Sequence, residues 1–83
     1  MYKSIIKSYV EKLKKEDIIK YIENNNYKVS NKEIDIIYFY IKNYWEDFFA
    51  NNQDIWRKLR NDISENTYIE IMKLRDKYKK FIN

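Results

Sequence analysis

Residues 29–45 read VSNKEIDIIYFYIKNYW. Ser30 followed three positions later by Glu33 has the form of a capping box: the serine hydroxyl accepts the N–H of the third helical residue, and the glutamate reaches back to the N–H of the serine. Val29 and Ile34 stand where a hydrophobic staple flanks such a box, so a helix starts at Asn31. Beyond it, Ile34, Ile37, Tyr38, Ile41 and Trp45 recur at spacings of three and four, the period of one helical face. Ile36, Phe39 and Tyr40 fill much of the remaining circumference, as expected of a helix enclosed by its neighbours. The reading is a central helix over 31–44.

The same period extends outward in both directions. Tyr2, Ile5, Ile6, Tyr9, Val10 and Leu13 define a helix over 2–13. A second helix over 15–25 carries Glu16 and Asp17 in its first turn, where acids complement the helix dipole, and fades into Asn24, Asn25 and Asn26. Asn51 or Asn52 caps a fourth over 52–62, which carries Ile55, Trp56 and Leu59, with Ile63 just beyond it. Ser64 caps a fifth over 65–82, whose stripe of Ile71, Leu74, Tyr78 and Phe81 is widened by Tyr68, Met72 and Ile82. The 83 residues include no glycine and no proline. No residue is then suited to primed hairpin turns or other positive-φ bends, and no helix breaker occurs. The expectation is an all-α fold, a compact bundle of five short helices, forming a single domain over 1–83. Fourteen Ile and fifteen aromatics provide its core, although a domain this small buries only about 60–65% of its unfolded surface.

Composition also bounds the chemistry. Without His or Cys there is no Ser–His or Cys–His nucleophile pair, no thiolate and no ordinary zinc site. The adjacent acids Glu16–Asp17 and Glu46–Asp47 diverge by about 100° on a helix and do not converge on one substrate. The chain is therefore expected to act by binding, as a non-enzyme with no catalytic residue, no cofactor and no metal. Ile36–Ile41 is the longest uncharged stretch of the most apolar region, far short of the roughly 20 residues that span a bilayer. The first helix, basic and amphipathic, turns its apolar face to the core more readily than to a membrane surface. Five lysines among the first fifteen residues interrupt any secretory leader, and the expected location is the cytoplasm.

Charge and rings supply the candidate contacts. The net charge of +4 is uneven: +4 over residues 1–15, −2 over 16–40, zero over 41–63 and +2 over 64–83. If helices 1 and 5 pack side by side, Lys3, Lys7, Lys14, Lys15, Lys73, Lys77 and Lys80 form one field for a nucleic acid or another anion. The rings of Tyr38, Phe39, Tyr40, Tyr44, Trp45, Phe48, Phe49 and Trp56, with Lys42, Arg57, Lys58 and Arg60 near them, have the make-up of a platform for single-stranded nucleic acid. In a chain with one alanine, those rings are better read as core volume. Abundant Lys, Ile, Asn and Tyr also match A- and T-rich codons, which lowers the weight of composition as a sign of function. The leading reading is a protein-interaction or adaptor module, because the apolar arcs of helices 3 and 5 exceed what one bundle face needs; self-association or a protein partner follows from it. The alternative is low-specificity nucleic-acid binding through helices 1 and 5.

The order of features is a basic first helix, LKKEDIIKYIENNNYKVSNKEIDIIYFYIKN over 13–43, an aromatic linker, and ISENTYIEIMKLRDKYKKFIN over 63–83. It resembles a small uncharacterised all-helical family of low-GC Gram-positive bacteria, a domain of unknown function, and the resemblance implies a fold but no activity. Lys14–Lys15 depart from the Thr-Pro start of the family's second helix, and Glu65–Asn66 stand where a proline commonly follows the last cap. Residues 13–45 are also similar in outline to SAP-like and helix-extension-helix modules, several of which bind nucleic acid. The linker Asn24–Val29 lacks their glycine. From the capping box alone, Ser30→Ala is expected to cost about 0.5–2 kcal/mol, and Glu33→Ala less.

Overall fold

Helix is the only regular structure between residues 2 and 82, the span that the computed structural model describes, with the side chains of 2, 74 and 76–82 excepted. The elements are α1 (Tyr2–Lys12), α2 (Lys15–Asn24), α3 (Asn31–Phe49), α4 (Gln53–Asp62) and α5 (Glu65–Ile82). The all-α reading holds, and helix starts at 2, 15, 31 and 65 fall where the sequence places them. α1 and α2 each end one residue earlier than expected, and α4 begins one residue later, with Asn52 as its cap: the Asn52 side chain accepts the N–H of Asp54 at 2.9 Å.

The larger departure is α3, which runs to Phe49 instead of 44. Tyr44 sits at φ −131°, ψ 20°, off the helical region. Just before it, the Asn43 side-chain amide donates to Phe39 O at 2.8 Å, competing for the carbonyl that the Asn43 backbone N–H would take. A side chain inserted into the ladder bends a helix without ending it, and α3 resumes for one more turn.

A second correction concerns positive φ. Asn26 and Asn51 both lie at φ 58°, the left-handed region that glycine usually supplies and that asparagine tolerates best among the others. Each closes a helix in a Schellman motif. Tyr27 N–H donates to Ile22 O and Asn26 N–H to Glu23 O, at 3.0 and 3.1 Å; Asn52 N–H donates to Asp47 O and Asn51 N–H to Phe48 O, at 2.9 and 3.0 Å. The second motif leaves only Ala50, Asn51 and Asn52 between α3 and α4.

α3 is the central helix. Its Tyr40 joins Ile55, Trp56 and Leu59 of α4 in the main buried cluster, flanked by Ile36, Phe48, Tyr68 and Met72. Each such side chain contributes about 1.5–3 kcal/mol on burial. Among the eight rings, Tyr40 and Trp56 are buried, five are half-buried and Phe39 alone is exposed. Edge contacts such as Phe48 on Trp56, 4.8 Å between centroids, make the run core and not a stacking platform. α1 and α2 also pack on α3, with Val10, Ile22 and Ile34 buried.

α3 further closes the ends of its neighbours. Lys42 Nζ donates to the carbonyls of Val10 and Glu11, 2.7 and 3.1 Å, and Tyr38 Oη to that of Leu13, 3.3 Å, so the last turn of α1 is capped from another helix. At the start of α3, Ser30 Oγ accepts the Glu33 N–H at 3.2 Å, and Ser30 N–H reaches Glu33 Oε1 at 3.5 Å. The same carboxylate also caps α5: Ser64 N–H donates to Glu33 Oε2 at 2.6 Å and the Thr67 hydroxyl to Glu33 Oε1 at 3.0 Å. Ser64 Oγ accepts the Thr67 N–H at 3.3 Å. In α5 the capping-box position normally held by Glu or Gln is Thr67, and Glu33 supplies the missing carboxylate from α3. Burial alone would raise the Glu33 pKa. The N–H of Ser64, the hydroxyls of Thr67 and Ser64 and the N–H of Ser30 outweigh it and hold the carboxyl below its ordinary 4.5.

Three outcomes are expected. Glu33→Ala should cost more than Ser30→Ala, reversing the order read from the sequence, because it opens two helix starts at about 1 kcal/mol or more each; urea denaturation of both variants measures this. Since the folded pKa is depressed, the contribution of Glu33 is present above pH 4.5 and is lost as pH falls through the folded value, so Glu33→Gln should flatten the acid limb of the stability profile. At the other end of α3, Asn51→Ala should cost about 1–2 kcal/mol and Asn51→Gly nothing, as read from melting temperatures.

Candidate binding cleft

Ala50 is the only small apolar residue of the chain, so few positions let helix axes approach closely. α5 packs on α4 and is joined to α3 at its first turn by Glu33. Between α5 and the α1–α3 layer the chain leaves an apolar cleft with two lobes. The first, about 490 Å³, lies among α1, α2 and α5 and has walls that include Tyr9, Leu13, Ile18, Ile22 and Tyr27. The second, about 450 Å³, reaches α4 and is walled by Ile6, Trp45, Phe48, Phe49 and Trp56. Val10, Ile37, Ile41 and Ile71 belong to both. These volumes fall in the range of small-molecule sites, which are mostly apolar with a few placed polar groups.

The polar groups differ between the lobes. Asp17, Thr67 and Glu70 border the first; Asp17 also accepts the Lys14 N–H at 2.9 Å as the first-turn acid of α2. Among the described residues, Arg75 is the charged one at the second, its guanidinium 5.4 Å from the centre of the Trp56 ring. Tyr40 also lines this lobe, and its hydroxyl is committed to Asp62 at the end of α4. That bond to a carboxylate, then burial, then the nearby charge of Asp62 and Tyr44, push the phenol pKa up to about 12. Beside the first lobe, α1 turns Ile5 and Tyr9 to solvent, 64% and 69% exposed and one turn apart.

The three structural caps read from the sequence, Ser30, Glu33 and Ser64, all cap. Of the candidate anion contacts, Lys3 lies 3.3 Å from Glu46, Lys15 against Asp35, and Lys73 3.8 Å from Glu70. Lys7 and Lys14 are exposed. The side chains of Lys77 and Lys80 lie outside the described residues. Near the rings, Lys42 caps α1, Arg57 lies 3.6 Å from Asp54, and Arg60 lies 2.9 Å from Glu65 and over the Tyr68 ring. The cleft itself and Thr67 escape the sequence reading, whereas Arg75 counts there among the basic residues of α5; it stands four residues after Ile71 and so on the apolar face of that helix. Among the described residues no helix is long and apolar enough to cross a membrane, and no three acidic side chains gather as a metal site. No family model, curated protein or solved structure matches the chain.

Because the folded Tyr40 pKa is raised, the stability it contributes is present below pH 10 and is lost as pH rises from 10 through about 12. Tyr40→Phe should remove that alkaline loss, as checked by urea denaturation at neutral and alkaline pH.

Proposed function

We propose that the chain is a non-enzymatic protein-interaction or adaptor module whose first lobe, with the outer stripe of α1, seats an amphipathic helix of a protein partner. The observation that carries this reading is the continuity of apolar surface from Ile5 and Tyr9, both exposed, into a lobe of about 490 Å³ that Tyr9 itself lines. Single exposed apolar residues are ordinary, whereas a stripe running into a groove suits helix-in-groove recognition. Lys7, Lys12 and Lys14 are exposed on or just after α1, so charge complementarity calls for acidic residues flanking the partner's apolar face.

A cytoplasmic setting suits a chain without cysteine, and membership of the uncharacterised Gram-positive helical family remains part of the proposal. Nucleic-acid binding is the weaker alternative, because Lys3, Lys15 and Lys73 each lie beside a carboxylate.

Tyr9→Asp tests the reading, since Tyr9 is 69% exposed and its replacement leaves the core intact. Wild-type protein should retain a partner from host extract, and the purified partner should bind the variant at least about tenfold more weakly, a loss of about 1.4 kcal/mol. Equal binding by the variant would refute the site. A strict monomer retaining no protein, yet binding short DNA or RNA with a steep salt slope, would replace the reading with its alternative.

A further inference from the structure

The first lobe is apolar, yet its charged walls have one sign. Among the described residues, Asp17 and Glu70 are the ionic side chains that line it, and no lysine or arginine does. In a chain of 17 basic and 13 acidic residues, that is the reverse of the overall charge of +4. Tyr9, Tyr21 and Tyr27 line the same lobe, the last two with ring centres 6.2 Å apart and planes tilted by 58°. Both carboxylates remain open to a further cation. Asp17, which is exposed, takes the Lys14 N–H on Oδ2. Glu70 is paired with Lys73, but at 3.8 Å, beyond hydrogen-bond distance, and the lysine is the more exposed of the two, 67% against 31%. An exposed pair of that kind contributes little, and a carboxylate with two oxygens accepts a second cation beside the first.

We infer that the partner helix carries a lysine or arginine within its apolar stripe, and that this residue enters the first lobe with its cation at Glu70 and Asp17 as a second negative charge. The inference rests on the proposal that the lobe seats a protein helix, and it adds the chemistry that selects that helix. A long basic side chain lays its hydrocarbon stem along apolar walls such as Leu13, Ile18 and Ile71 and keeps its charged head at the edge. Tyrosine faces attract the same cation. A wholly apolar helix would cover Glu70 and strip it of water without replacing that water, which is costly, and an acidic residue at the same place would be repelled. Specificity then comes from what the lobe rejects as much as from what it holds. Outside the lobe, the exposed Lys7, Lys12 and Lys14 call for acids, so the partner's charge order, basic within the stripe and acidic beside it, fixes its register on α1.

Octylammonium reproduces the charge and stem of a lysine side chain, while octanol and octanoate keep the tail and change the head. Each is titrated into the intact chain at neutral pH, below its micelle concentration, while backbone N–H resonances are followed. Octylammonium should bind saturably, move the resonances of Tyr27, Glu70 and Ile71, and bind at least about tenfold tighter than octanol, with octanoate weakest. Glu70→Gln should weaken octylammonium about tenfold and leave octanol unchanged, and it should weaken the purified partner by a similar factor. Equal affinities for octylammonium and octanol, or shifts confined to Trp45, Phe48 and Phe49 of the second lobe, would overturn the inference. The wild-type preference among the three probes decides this even if Glu70→Gln fails to fold. If Tyr9→Asp weakens the partner and a folded Glu70→Gln does not, the groove stands and its basic anchor falls. If Tyr9→Asp leaves the partner unchanged, the groove itself falls.

Discussion

One carboxylate holds the starts of two helices. Glu33 completes the capping box of α3 with Ser30 and accepts from Ser64 and Thr67 at the start of α5, residues 31 and 34 positions further along the chain. A negative charge shared by two positive helix ends is stabilised by both dipoles, and it draws together the N–H groups and hydroxyls that each end would otherwise leave to water. Thr67, the most deeply buried polar residue among those described at 2% exposure, is satisfied only because this cluster surrounds it. The orientation of α5, and therefore the cleft, depends on that cluster.

The same logic recurs along α3. Lys42 and Tyr38 close the last turn of α1, and Tyr40 holds Asp62 at the last turn of α4, where a carboxylate faces the unfavourable end of the dipole. The central helix is thus apolar where it packs and polar at the points where other helices end. Ring-rich α3 could not perform both tasks with aliphatic residues alone: a tyrosine buries its ring and still presents a hydroxyl at the rim.

Much of this was legible, because local chemistry writes it locally. Ser30 and Glu33 marked the start of α3, Ser64 that of α5, and the spacing of Ile34, Ile37 and Ile41 the inward face of α3. What stayed hidden depends on distance or on dihedrals. That Asn26 and Asn51 would take glycine's conformation follows from their side chains tolerating it, yet nothing in the neighbouring residues distinguished them from Asn24 or Asn52. The bend at Tyr44 comes from Asn43 turning back on its own helix, an alternative that asparagine always offers and seldom takes within a helix. Glu33 was readable as a partner of Ser30 and unreadable as a partner of Ser64. The cleft was hidden for the same reason: it belongs to no single helix face, and appears only when α1, α3 and α5 are set side by side.

The three-residue link Ala50–Asn52 sets an order on assembly. Closing a chain loop costs entropy that grows with its length, and α3 and α4, joined by three residues and together supplying the buried residues of the main cluster, recoup that cost early. The Glu33–Ser64 bridge spans 31 residues and gains its value only once the α3–α4 hairpin has shortened the path between them. The central pair of helices is then the expected nucleus, with the last helix docking afterwards onto the carboxylate of Glu33.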